Sequence, residues 1–209
     1  MIRVCLADNH PVVHHGVKSY FKDSSSVNFV GVVSNLDDLD ELLKKKAVDV
    51  VVLDLELEGL TSINLVKSLI REYSDSKFVV FTNLGEQIYA PNALKAGVSA
   101  YIHKSSKLED LENAIKKVNE GHVVFSEAVK KNLALLNKGK KSDRLYRKLS
   151  SREIEVLRYL SDGKKNKEIA KLLTLNEKTI STYKLRLLTK LHVTNLVDLV
   201  NKAKALEIV

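Results

Sequence analysis

Through about residue 120, apolar residues fall into short unbroken runs separated by stretches with helical spacing. Val50-Val51-Val52-Leu53 is β-branched, does not alternate and stops on Asp54, the pattern of a strand buried on both faces. Val4-Cys5-Leu6-Ala7 stops the same way on Asp8, Phe78-Val79-Val80-Phe81 on Thr82, and Ala100-Tyr101-Ile102-His103 on Lys104. Asn28 to Val33 supplies a fifth strand. Between these runs, Pro11 opens a helix whose buried side is predicted from Val12, Val13, Val17, Tyr20 and Phe21. Asp37 to Lys46 carries Leu39, Leu42 and Leu43 at helical spacing, and Ile63, Val66, Leu69 and Ile70 stripe another helix after a turn at Gly59. A fourth helix spans Glu86 to Gly97, its first turn loosened by Pro91. A fifth runs from Asp110 to Glu120. Strands alternating with helices predict an α/β fold, a flavodoxin-like doubly wound five-stranded parallel sheet.

From Leu149 onward the strand signal disappears and four capped helices are predicted. Ser150 or Ser151 caps the first, with Glu153 placed for a capping box, and Asn166, Asn176 and Asn195 cap the others. The second and third are joined by Thr174-Leu175-Asn176 alone, the spacing of a helix-turn-helix. The chain therefore divides into 1–122, a linker with a helix at 123–147, and a small all-α helix-turn-helix domain at 148–209. The helix in that linker is predicted from Ser126 to Asn137, and its polar part from Lys138 to Asp143.

The length of 209 residues suits two domains. The formal charge of +8 is informative only when divided. Residues 1–125 hold 14 Lys/Arg against 17 Asp/Glu, whereas residues 126–209 hold 20 against 9, a net charge of +11. Basicity confined to the helical half points to a polyanion partner, nucleic acid first. The single cysteine, Cys5, excludes an intramolecular disulfide and a thiolate zinc site. Neither a signal-peptide pattern nor a long apolar run is present, so a soluble cytoplasmic protein with no membrane partner is expected.

A parallel sheet brings its carboxyl ends to one edge, where Asp8, Asp54, Thr82 and Lys104 would converge. Any one of them could simply cap its strand, but four complementary groups suit phosphoryl chemistry. A carboxylate nucleophile forms an aspartyl phosphate when counter-charge meets the transferring oxygens. Asp8 and Asp54 offer hard oxygens for Mg²⁺, Thr82 a hydrogen bond and Lys104 a positive charge. In the helical half, Ile180, Leu187 and Leu191 share a packing face, while Lys178, Ser181, Thr182, Leu185 and Thr189 lie opposite. The short or basic first-turn residues Lys178, Ser181 and Thr182 suit base edges or phosphates in a major groove, with Lys164 and Lys165 within reach of the backbone. A bundle with a wet polar face is the alternative, disfavoured by the local charge.

These residues together resemble the NarL/FixJ family of two-component response regulators over nearly the whole chain. Leu6-Ala7-Asp8-Asn9-His10-Pro11, Asp54 with Gly59, Thr82, Ala96-Gly97 and Tyr101-Ile102-His103-Lys104 look like the receiver pattern. Leu149-Ser150-Ser151-Arg152-Glu153-Ile154-Glu155-Val156-Leu157 and Asn166-Lys167-Glu168-Ile169-Ala170 are similar to LuxR-type DNA-binding domains. Thr179-Ile180-Ser181-Thr182-Tyr183-Lys184-Leu185-Arg186 looks most like the BvgA/EvgA branch. The resemblance implies that Asp54 is the phosphoacceptor, that Thr82 and Lys104 sense the phosphoryl group, and that Tyr101 is the switch aromatic. It implies a metal set of Asp8, Asn9, Asp54 and the backbone carbonyl of Glu56, and it adds Thr179, Lys184 and Arg186 to the DNA-contacting residues. Asn9 stands where the family has a second acidic residue, Leu57-Glu58 where it has Met-Pro, and Ser105 where it often has Pro. An amide carries no charge, so weaker Mg²⁺ binding is expected.

The leading reading is a transcription regulator, phosphorylated on Asp54 by a sensor histidine kinase or small phosphodonor, that binds double-stranded promoter DNA as a homodimer. The stripe Leu196, Leu199, Val200 and Ala203 on the last helix would serve either that dimer or the domain core. A second reading makes the receiver a phosphorylation-independent docking or dimerisation module. An aspartate-nucleophile phosphatase is the third, disfavoured because no cap domain for substrate is evident, so no enzymatic turnover is expected.

Overall fold

The computed structural model describes residues 1–127, 129, 130, 149–206 and 208. The chain divides into two compact units, Met1–Asn132 and Leu133–Val209. The linker predicted at Lys138 to Asp143, and most of the helix predicted before it, lie outside the described residues.

In the first unit, strands β1 (Ile2–Ala7), β2 (Val27–Val33), β3 (Val50–Leu53), β4 (Lys77–Thr82) and β5 (Ala100–His103) alternate with five helices. These are α1 (Pro11–Phe21), α2 (Leu36–Lys45), α3 (Ile63–Glu72), α4 (Glu86–Ala96) and α5 (Leu108–Asn119). All pairings are parallel, in the order β2-β1-β3-β4-β5. The order reverses between β1 and β3, and such a switch point opens a crevice at the carboxyl ends. Every residue of β3 is fully buried, which is why its sequence is continuous rather than alternating. Val4, Leu6, Val50, Val52, Val79 and Phe81 pack with Val17 and Phe21 of α1 and Leu111 and Ile115 of α5. Truncating Leu111 or Ile115 to alanine would cost about 2–5 kcal/mol.

Two details depart from the sequence reading. On α1, Val17 and Phe21 are buried, with Val13 partly so, but Val12 is 83% and Tyr20 37% exposed. The buried stripe has four-residue spacing, and Val12 and Tyr20 each sit about 100° off it. On α4 the first turn is closed despite Pro91, because Ile88 and Tyr89 donate to the Gly85 carbonyl at 3.2 and 3.1 Å. Buried Ile88, Ala90 and Ala93 hold that helix against the proline's missing donor. Beyond α5, Val124 bonds Ser99 and Tyr101 beside β5, and Phe125 and Val129 are buried.

The second unit holds α6 (Ser151–Ser161), α7 (Asn166–Leu172), α8 (Glu177–Leu191) and α9 (Leu196–Ala205). Ser150 is the cap of α6: its hydroxyl accepts from Glu153 N, and Glu153 Oε2 accepts from Ser150 N at 2.6 Å. Asn176 and Asn195 cap α8 and α9 as expected. Asn166 does not cap α7; Lys165 holds that place, its N–H bonded to Glu168 Oε2 at 2.7 Å. Ile180, Leu187 and Leu191 of α8 are fully buried against α6, α7 and α9. On α9, Leu199 and Ala203 enter this core, while Leu196 and Val197 are exposed. No helix among the described residues is long and apolar enough to cross a membrane.

Candidate functional site

Sheet register explains how four side chains distant in sequence meet. Ala7 pairs with Leu53, so Asp8 and Asp54 leave neighbouring strands side by side, tied by Asp54 N donating to the Ala7 carbonyl at 2.9 Å. Thr82 pairs with His103, which places Lys104 one residue past the threonine. Asp8, Asp54 and Thr82 are all buried. Asp54 Oδ1 accepts from Thr82 Oγ1 at 2.7 Å and from Glu56 N at 3.1 Å. The Lys104 ammonium lies 2.6 Å from Asp54 Oδ2 and 2.7 Å from Asp8 Oδ2. Burial alone would lower the lysine pKa, but its bonds to Asp54 and Asp8 outweigh that and hold it above the ordinary value. Lys104 is therefore charged, and it neutralises one of two buried carboxylates.

His10, which stands without an assigned role in the receiver-like run Leu6 to Pro11, joins this group. Its Nδ1 lies 2.8 Å from Asp8 Oδ1, 3.7 Å from Asp54 Oδ2 and 3.4 Å from Lys104 Nζ. The imidazole of His14 bonds the Asp8 carbonyl from α1. The sequence signals for His10 are its place two residues after the first strand-ending aspartate and its membership of that run. Asn9 and Glu56 are exposed beside the pocket. Asp8, His10 and Asp54 offer ligand atoms within 4.8 Å of one another. Two buried carboxylates on adjacent strands are hard-oxygen donors of the kind that fit a divalent cation.

Tyr101 and His103 tie β5 to the segment between β4 and α4. The buried Tyr101 phenol donates to the Leu84 carbonyl at 2.8 Å, and His103 Nε2 lies 2.9 Å from the Asn83 carbonyl. Burial first, and then the surrounding acidic groups, push the Tyr101 phenol well above its ordinary pKa, so it remains a donor.

On α8, Lys178, Ser181, Thr182, Leu185 and Thr189 are exposed on the side away from the buried stripe. Thr179 faces its own cap, Oγ1 bonding Asn176 Oδ1 at 2.8 Å. Lys184 is half-buried nearer the packing face. Arg186 flanks the exposed face, its guanidinium 5.9 Å from the Tyr183 ring centroid. Lys164 and Lys165 are exposed ahead of α7.

Residues 4–116 match the family described as response regulator receiver domain, and residues 147–203 match bacterial regulatory proteins of the luxR family. The Fimbriae Z protein of Salmonella typhimurium is 32% identical, with 98% of this chain and 97% of the relative covered. The chain belongs to the response regulators. Its solved neighbours include the response regulator RcsB of Salmonella typhimurium, at 27% identity and a TM-score of 0.81 with 98% of each chain covered. RcsB of Salmonella enterica serovar Typhimurium, bound to promoter rprA in the presence of the phosphomimetic BeF3⁻, is 28% identical. Its TM-score is 0.78, with 97% of this chain and 98% of that chain covered. In this response regulator the sheet edge lies in the receiver domain and the exposed α8 face in the luxR-type domain.

Proposed function

We propose that this response regulator is a DNA-binding transcription regulator controlled by phosphorylation of Asp54. The observation that carries the reading is the pairing of Thr82 and Lys104 with the two oxygens of one buried carboxylate. The donor is a phosphohistidine of a sensor kinase or a small acyl phosphate. An Asp54 oxygen attacks phosphorus, a P–O bond forms, and the bond to the donor breaks with its electron pair leaving on the donor. Thr82 and Lys104 then turn from the carboxylate to the phosphoryl oxygens, where their donors offset the added charge. Asp8, Asp54, the Asn9 amide and the Glu56 carbonyl would hold Mg²⁺, which when bound supplies positive charge beside the transferring group.

Withdrawal of Thr82 from Asp54 is felt by the segment that follows it, which Tyr101 and His103 hold through the carbonyls of Leu84 and Asn83. That segment is the element whose equilibrium phosphorylation biases. The output is binding of promoter DNA by α8 as a homodimer on paired half-sites. RcsB, bound to promoter DNA with a phosphomimetic, supports the pairing of the two activities. The test is a footprint on genomic DNA with and without a small phosphodonor. Protection at lower protein concentration with the donor, absent in Asp54→Ala, is the expected result; protection indifferent to both contradicts it. The uncharged Asn9 favours a second reading, in which the receiver is a phosphorylation-independent docking or dimerisation module, and that indifferent footprint is its signature.

A further inference from the structure

Leu185 is 65% exposed in the middle of the α8 face proposed to enter the groove. Isolated surface leucines need no explanation, but the surroundings of this one are specific. Ser181, Thr182 and Thr189 border it, all exposed and all small, so the helix can approach a groove floor closely. Their hydroxyls fold back onto the helix. Ser181 Oγ donates to the Glu177 carbonyl, Thr182 Oγ1 to that of Lys178 and Thr189 Oγ1 to that of Leu185, each at 3.0 Å. With their protons used internally, Thr182 and Thr189 face outward as hydrogen-bond acceptors and methyl groups, while Ser181 Oγ also accepts from Asn166 Nδ2 of α7 at 3.1 Å. The centre of the face also lacks the paired donors that read guanine. Its cations stand away from that centre, Lys178 two turns earlier along the same line and Arg186 beside the Tyr183 ring.

The base that matches a leucine flanked by two threonine acceptors and their methyl groups is thymine. Its C5-methyl is the one apolar group on the major-groove edges, and its partner adenine presents an N6 donor next to it. We infer that Leu185 is a base-reading residue and that each half-site presents a thymine C5-methyl to it in the major groove. Phosphate contacts by the surrounding lysines supply affinity, and the methyl contact supplies discrimination. This rests on the proposed reading of α8 as the DNA-binding helix.

The experiment begins with the full chain, with phosphodonor, selecting from a pool of random-sequence duplex DNA. Affinity for the enriched duplex is then measured at fixed salt with each thymine replaced in turn by uracil, which removes only the methyl group. Burial of one methyl corresponds to about a four-fold loss on its removal. Wild type is expected to lose about that much at one position or more per half-site. Leu185→Ala is expected to bind the thymine duplex more weakly and to lose its preference over uracil, whereas Leu185→Met keeps the preference. Because the side chain is exposed, both variants should melt with wild type. Uracil indifference at every position in wild type overturns the inference, as does an unchanged preference in Leu185→Ala. Enrichment of no sequence overturns the DNA-reading assignment itself, and this inference with it.

Discussion

Lys104 is bound to Asp54 as a built-in counter-ion, its ammonium 2.6 Å from Oδ2 and a comparable distance from the neighbouring Asp8. Replacing it with methionine leaves two buried carboxylates facing each other. Removing one partner of a buried ion pair costs about 3 kcal/mol. Lys104→Met should therefore lower the receiver's melting temperature, and millimolar Mg²⁺ should restore more stability to the variant than it adds to wild type. Thermal melts of both proteins with and without Mg²⁺ measure this.

Tyr101→Phe removes the donor to the Leu84 carbonyl while keeping the buried ring. The expected loss is about 1 kcal/mol, the net worth of one hydrogen bond. Amide exchange between Asn83 and Ile88 should accelerate while that of β3 stays unchanged, as hydrogen-exchange mass spectrometry would show.

Glu153 is buried in the second unit, where it caps α6 and meets Lys190 Nζ at 2.8 Å. Burial pushes its pKa up, but Lys190 and the Ser150 bonds pull it below the ordinary value of 4.5. A depressed folded-state pKa contributes stability above the unfolded value and loses it as pH falls through the folded one. Urea unfolding of the second unit should become easier from about pH 4.5 downward. Glu153→Gln should flatten that segment of the profile.

Lys178 stands at the first turn of the proposed reading helix, exposed beside Thr182. If it meets a phosphate, Lys178→Ala should weaken binding on every sequence alike and reduce the slope of log affinity against log salt by about 1. Thr182→Ala should lower specific binding and leave the salt slope unchanged. A salt titration by fluorescence anisotropy separates the two.

What the sequence made legible follows from how strongly each feature constrains it. Strands buried on both faces require unbroken apolar runs, so β1, β3 and β4 and their terminal residues could be read directly, whereas β5, an edge strand with only Ala100 and Tyr101 buried, was legible from its short run ending on Lys104. The α8 face could be read because Ile180, Leu187 and Leu191 fix its phase. The α7 cap could not, because a lysine occupies the cap place and Glu168 alone supplies the bond. His10 was hidden for a similar reason: its contact with Asp8 is made by the turn after β1, including its own N–H to Asp8 Oδ1 at 2.8 Å, and no periodicity reports a turn. The ties from Tyr101 and His103 end on backbone carbonyls, which leave no trace in side-chain identity.

The central claim is that Asp54 accepts a phosphoryl group. Its most direct measurement is the rate of labelling by a small phosphodonor against Mg²⁺ concentration, for wild type and Asn9→Asp, with Asp54→Ala as the blank and the modified residue located by mass spectrometry. The expected result is label on Asp54 alone, none on the blank, and an Asn9→Asp curve displaced to lower Mg²⁺ because the pocket regains one negative charge. Superimposable curves would remove Asn9 as the limiting feature. Absence of label from both proteins, or label on any residue other than Asp54, would contradict the account.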